Sequence, residues 1–360
     1  MAQIRIAASH AFEFIRAAFE AEGLSVEKAT EAAEVLIYAD VAGLSSHGIS
    51  NFIPIYIKGI QQGLIDTAAE MQTTKESGGA VALCANQMLG LLAGRIAMSQ
   101  AMERASVYGV AAVTVSHSTH FGAAGFYSSM ALRESMIGIA MTNLGAQAVG
   151  HAMGSKEPII GTNPIAFAAP IMDLPPFVLD MSTTTCASGK IKQARLLDAE
   201  CPSGWLVDRA GYNVTDPSAY SQGTAFLPAL GGWTKATGGH KGFGLSLLVE
   251  VLCGVLAGGD VPALAQMSEF NNVGHFFLAL DIRRWADPLD FSSRMKAMCE
   301  SLCDQEPFPG FSDITYPGLS DKMNEAIALE HGFLIPESVY HDLNQYAVSR
   351  TLDTLIGHPE

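Results

Sequence analysis

Between residues 80 and 183 the chain keeps breaking into apolar runs too short to be helices: AVALCAN (80–86), GVAAVTVSHS (109–118), MIGIAMTN (136–143), IIGTNPIAFAAP (159–170) and FVLDMST (177–183). Each is bounded by Asn, Pro or Gly, and such runs read as buried strands. HFFLALDI (275–282) adds one more, and LGLLAGRIAMSQAMERASVYG (89–109) lies between the first two as a helix. A chain with this middle must build a sheet and cover it. The covering comes from the ends. Phe12, Ile15 and Phe19 recur at helix spacing, and Ser25 is placed to cap a second helix that stops at Gly43. A short helix follows to Gly63, and the chain turns helical again from about residue 287. The expected division is therefore a helical part from residues 1–75 and 287–360, around a strand-rich part over 76–286. The expected fold class is α/β (α+β).

With 360 residues, 49% hydrophobic and 16% charged, the chain can bury a large core and is not a disordered polymer. Its formal charge of -15 repels nucleic acid and anionic membranes, and no basic-aromatic stripe offsets it. The apolar stretch GFGLSLLVEVLCGVLAGG (242–259) is interrupted by Glu250 and closed by glycines, which predicts a buried helix rather than a membrane span. The six cysteines form no CxxC pair, so a zinc site or disulfide framework is not expected; free thiols suit a reducing, cytoplasmic setting. The first residues read as an amphipathic helix rather than a leader. No GxGxxG follows a strand, since GFGLSLL has Leu247 where the third glycine belongs, and Gly189-Lys190 lacks the rest of a phosphate loop. His117 and His120 are two residues of an HxxH spacing without a third ligand, so no metal is expected.

Three stretches place polar residues where folding alone does not ask for them. Ser45-Ser46-His47-Gly48 follows a helix end: the turn either simply caps the helix through His47, or His47 carries protons. SHSTHFGAAG runs from a strand into glycines that let a ligand approach backbone N–H groups, with His120 either a satisfied core residue or a functional one. In FVLDMSTTTCASGKIKQARLL, Asp180 ends a strand and Lys190, Lys192 and Arg195 form the dense cation cluster of the middle region. Asp180 is either a plain cap or the partner of a histidine, and the cations either a solvated face or an anion site.

Together these stretches resemble the non-Rossmann family of malate/L-lactate dehydrogenases, which includes sulfolactate, ureidoglycolate and diketogulonate oxidoreductases and cyclic imino acid reductases. The match is collinear: SHGISNF (46–52), HFGAAGFY (120–127), GTNPIAFAAP (161–170), LDMSTTTCASGKI (179–191), GWLVDRAGYNVTDP (204–217), GGHKGFGLSLLVEVLCGVLAGG (238–259) and YPGLSD (316–321). The resemblance implies a homodimer with an unusual mixed, partly antiparallel sheet for NAD or NADP. It implies hydride transfer to C2 of a small 2-oxo acid, or alternatively reduction of a cyclic imino acid. A third alternative is a silent binding homologue.

The family motif places His47 as proton donor with Ser46 and Asp180 as its relay, and His120 as the second choice. The dinucleotide is expected across His120, Phe121, Gly122, Ala123 and Ala124, around Asp180, Met181 and Ser182, near His240 and Lys241, and against Pro317, Gly318, Leu319 and Ser320. Asn51, Thr162 and Lys190 are the expected substrate contacts. Two departures stand out. Asn51 occupies a position where relatives commonly carry an arginine for the substrate carboxylate, and Ser320 replaces a common acidic residue, which favours a 2′-phosphate and hence NADP.

Overall fold

The computed structural model describes residues 3–264 and 271–359. Its centre is a seven-stranded mixed sheet in the order 72–77, 80–84, 110–118, 273–281, 136–142, 165–169, 177–181. One pair, Ala80–Cys84 with Val110–Ser118, is parallel and is joined through the helix Gly90–Tyr108; the other pairs are antiparallel. The strands expected from the apolar runs form at the places expected. The edge strand Gln72–Ser77 carries no apolar alternation and is exposed throughout, so the hydrophobic pattern gave no sign of it.

The N-terminus departs from expectation. Gln3–Ile6 is a strand, paired antiparallel with Phe333–Pro336 and with His358–Pro359, and the first helix starts only at Ala8. Ser25 caps the helix Val26–Val41, its hydroxyl accepting from the Lys28 N–H, and Gly43 ends it in the left-handed region at φ 81°. One apolar cluster joins the terminal helices to the sheet, running from Ile15 and Leu36 through Val113 and Phe277 to Leu343. A smaller cluster around Cys186, Cys201 and Leu206 closes a three-stranded sheet off to one side.

The 242–259 stretch forms the helix Gly239–Val249 and a π-helical continuation, Glu250–Leu256. It is buried on one side only: Gly242, Ser246, Val249 and Cys253 face inward, while Leu247, Leu248, Val251, Val255 and Leu256 are exposed. The reading of a wholly buried helix is thus corrected. Length and apolarity were right, but an interior with room for one face cannot take the other. Glu250, which interrupts the run, is buried and accepts hydrogen bonds from Asn163 Nδ2 (2.8 Å) and Asn143 Nδ2 (3.1 Å). That pairing ties the helix to the strand ends and satisfies the carboxylate.

Candidate active site

The turn after the 26–41 helix is built on a buried carboxyl that the motif reading overlooked. Asp40 closes the apolar face of that helix and accepts the Ile49 N–H at 2.7 Å. Gly48 lies so close that a Cβ there would fall inside van der Waals contact of the Asp40 carboxyl. The chain between them, Leu44 to His47, is held in a short loop, with the His47 N–H donating to the Leu44 carbonyl. Burial pushes the Asp40 carboxyl up to about 8, against 3.8 ordinarily, so it stands protonated at neutral pH. The sequence signal was present: a carboxylate in register with buried Leu36 and Ala33 on an apolar helix face.

The sign of the consequence follows from linkage. The folded chain binds a proton at Asp40 that the unfolded chain has released, so its contribution is fully present below the unfolded pKa and is lost as pH rises through about 8. Asp40→Asn keeps an acceptor for Ile49 without the titration. The wild-type melting temperature is therefore expected to drop relative to the variant between roughly pH 4 and pH 8 and to run parallel to it above that. A difference independent of pH would exclude this account.

Ser46 Oγ lies 2.8 Å from His47 Nδ1, and the imidazole stacks on that of His120, ring centroids 6.1 Å apart. His120 is bound from two sides through Nδ1, by the Gly122 N–H (3.2 Å) and the Tyr56 hydroxyl (2.8 Å). The amide can only donate, so Nδ1 is the acceptor and the proton of the neutral ring sits on Nε2. Burial, reinforced by the neighbouring His47, His275 and Lys192 charges, pushes His120 down to about 3. It is a neutral hydrogen-bonding group across the working range. Burial also lowers His47 from its usual 6.5. His117 is exposed and bonded to Ser116, so the HxxH spacing separates a surface ring from a buried one.

Asp180 does not complete the expected relay through His47. Its Oδ2 accepts the Gly125 N–H at 2.7 Å, five residues beyond His120, and the Tyr38 hydroxyl also approaches Gly125. Burial raises this carboxyl to about 6. Asp180 therefore fixes the loop that carries His120 rather than the far nitrogen of His47. The cause is geometric: the strand Phe177–Met181 pairs along Ile165–Ala169, and register places position 180 against the start of the Ala124–Met130 helix.

The other expected dinucleotide contacts lie in the 120–125 loop, at the 317–320 turn beside Val178 and at the start of the 239–249 helix. Phe121, Ala123 and Ala124 are buried in the loop, and Gly122 takes φ 81° against Leu91. Pro317 accepts the Val178 N–H at 3.0 Å, and Gly318 takes φ 96° where a Cβ would strike Pro176 and Val178 backbone, so Leu319 and Ser320 begin a helix beside the Phe177–Met181 strand. His240 and Lys241 open the 239–249 helix, whose Gly239 and Gly242 press on the backbone of Gly232 and Leu230; Leu230 in turn donates to Thr183. Glycine cradles, backbone donors and a lysine in an acidic chain fit a dinucleotide phosphate.

Of the expected substrate contacts, Thr162 is tied by its carbonyl to the Thr183 N–H. Asn51 does not face the site with a free amide: its Nδ2 donates to the Ser46 carbonyl at 2.8 Å and braces the histidine turn. Lys190 lies over the Trp205 ring, 6.0 Å from its centroid, on the side of the small cluster. Sequence motifs missed Asp40, Tyr38 and Tyr56 because none belongs to a polar run.

The family described as malate/L-lactate dehydrogenase matches residues 6–344. A malate dehydrogenase of Pyrococcus horikoshii is 34% identical over 346 residues, 96% of this chain and 95% of that protein. An L-sulfolactate dehydrogenase of Methanocaldococcus jannaschii is 33% identical, over 90% of each chain. The solved malate dehydrogenase of Entamoeba histolytica superposes with a TM-score of 0.94 at 28% identity, covering 98% of this chain and 99% of that one.

Proposed function

The chain belongs to the malate/L-lactate dehydrogenase family and is an NAD(P)-dependent oxidoreductase of small 2-hydroxy and 2-oxo acids; from that premise we propose that His47 is its proton donor and NADP its preferred cofactor. The observation that carries the assignment of roles is the stacked pair. His120 is locked neutral by two donors on Nδ1, whereas His47 is tethered through Nδ1 to one serine hydroxyl and keeps Nε2 for a substrate.

The dinucleotide supplies or accepts the hydride at C2. The protein's part is to hold and protonate the oxygen. As C2 of a 2-oxo acid gains a hydride, negative charge grows on its oxygen. The Nε2 proton of His47 passes to that oxygen, leaving a neutral imidazole and a 2-hydroxy acid. In the reverse direction the neutral ring takes the hydroxyl proton. Ser46 fixes which nitrogen faces the substrate, Asn51 and Asp40 fix the turn that carries both, and Asp180 holds the 120–125 loop that the dinucleotide would lie across.

A panel of pyruvate, oxaloacetate and the two cyclic imines, Δ1-pyrroline-2-carboxylate and Δ1-piperideine-2-carboxylate, tests the substrate class by NAD(P)H oxidation. Turnover is expected on a 2-oxo acid; turnover confined to the cyclic imines would overturn that reading. Ser320 at the first turn of the 319–331 helix supports NADP, because no carboxylate at that position repels a 2′-phosphate. NADPH is expected to bind the tighter in fluorescence titrations, and tenfold tighter NADH would refute the preference. We also propose a homodimer, supported by the exposed Leu247, Leu248, Val251, Val255 and Leu256 face, and a reducing cytoplasmic location, supported by six free thiols.

A further inference from the structure

A 2-oxo acid brings a carboxylate beside the carbon that reacts, and a chain of net charge -15 must set a cation against it. The residue closest in sequence to the His47 turn with donors to offer, Asn51, carries no charge and has its amide nitrogen held by the Ser46 carbonyl. The helix Ser188–Leu196 supplies the alternative. Gly189 packs against the Ser46 Cβ so tightly that any side chain there would collide with it, which puts this face of the helix on the histidine turn. Residues three apart share a helix face, so Lys192 follows Gly189 one turn on, whereas Lys190 is turned to the other side, over Trp205. Ile191 is buried between them and fixes the rotation of the helix.

We infer that Lys192 is the carboxylate-binding residue of this chain, reaching over the His47–His120 pair from the 188–196 helix and taking the acid group of the substrate in place of residue 51. The same arrangement explains why Lys192 is the cation whose charge reaches His120. An ammonium on a four-carbon stem grips a carboxylate as a point charge without fixing its plane, so this seat accepts acids whose carboxylate is presented at differing angles. The inference deepens the 2-oxo acid reading and rests on it.

The probe is oxalate, a carboxylate pair that needs no turnover, titrated calorimetrically into the full-length protein carrying NADPH. Wild type is expected to bind it, and Lys192→Gln to bind it at least tenfold more weakly, with NADPH affinity unchanged within twofold. Lys192→Arg should return oxalate binding to within threefold of wild type. A wild type that ignores oxalate, a Gln variant weakened less than tenfold, or an Arg variant that restores nothing each overturns the assignment. Turnover is read separately: oxalate held through Lys192 in a protein that reduces no 2-oxo acid keeps the carboxylate seat and sinks the proposed substrate class instead.

Discussion

Replacing His47 by alanine is expected to cut reductive turnover by roughly two to four orders of magnitude, the usual worth of a positioned general acid, while leaving dinucleotide affinity nearly unchanged. The imidazole stands at the end of a braced turn with Ser46 on its Nδ1, which leaves Nε2 to face a substrate. The pH dependence has a definite sign. Burial lowers His47 below 6.5, so the protonated donor is present only at pH values below that lowered point. Reductive kcat/KM is therefore expected to rise as pH falls through it, and oxidative kcat/KM to rise in the opposite sense as the neutral base forms. Both arms should vanish in the alanine variant. A loss below threefold, or a pH profile that survives the substitution, would remove His47 from the mechanism. The corresponding change at His120 should instead loosen the loop through lost bonds to Tyr56 and Gly122, raising KM for the dinucleotide more than it lowers kcat.

The second large effect is expected at Gly48. A methyl group there meets the buried Asp40 carboxyl head-on, and Asp40 cannot retreat, because its Oδ2 holds Ile49 and the residue is enclosed. Gly48→Ala must push the His47 turn outward, and displacement of a catalytic group by about 1 Å costs on the order of a hundredfold in rate. Asp40→Ala alone leaves the Ile49 N–H without its acceptor, at about 1–3 kcal/mol of stability. The double variant removes the collision. Its loss should fall short of the sum of the single losses by about 0.5–3 kcal/mol, the range for residues in contact. Additive losses in thermal unfolding and in kcat/KM would show that Gly48 and Asp40 do not meet as described.

How much of the site could be read along the chain depended on how far apart its partners lie. Ser46 and His47 are neighbours, and the turn that displays them announces itself by Gly43 and Gly48. The expected pairing of His47 with Asp180 failed for a reason no local pattern contains: strand register delivered Asp180 to the Gly125 amide. Asn51 was read by its donors, and the fold turned that amide nitrogen to a carbonyl five residues back. The strand Gln3–Ile6 was taken as part of a helix because four residues carry too little period to decide, and its partners begin more than 300 residues away.

Short apolar runs between Asn, Gly and Pro determined by themselves that the middle of this chain is a sheet, because such runs are too brief for helices and too apolar to stay in water. The stretches from SHGISNF to YPGLSD likewise determined its family. Tertiary structure alone decided which carboxylate meets which amide, which lysine turns toward the histidines, and which face of the 239–256 helical stretch stays uncovered. Those outcomes depend on strand register and helix rotation, which are fixed by packing across the whole core and leave no trace in the spacing of nearby residues.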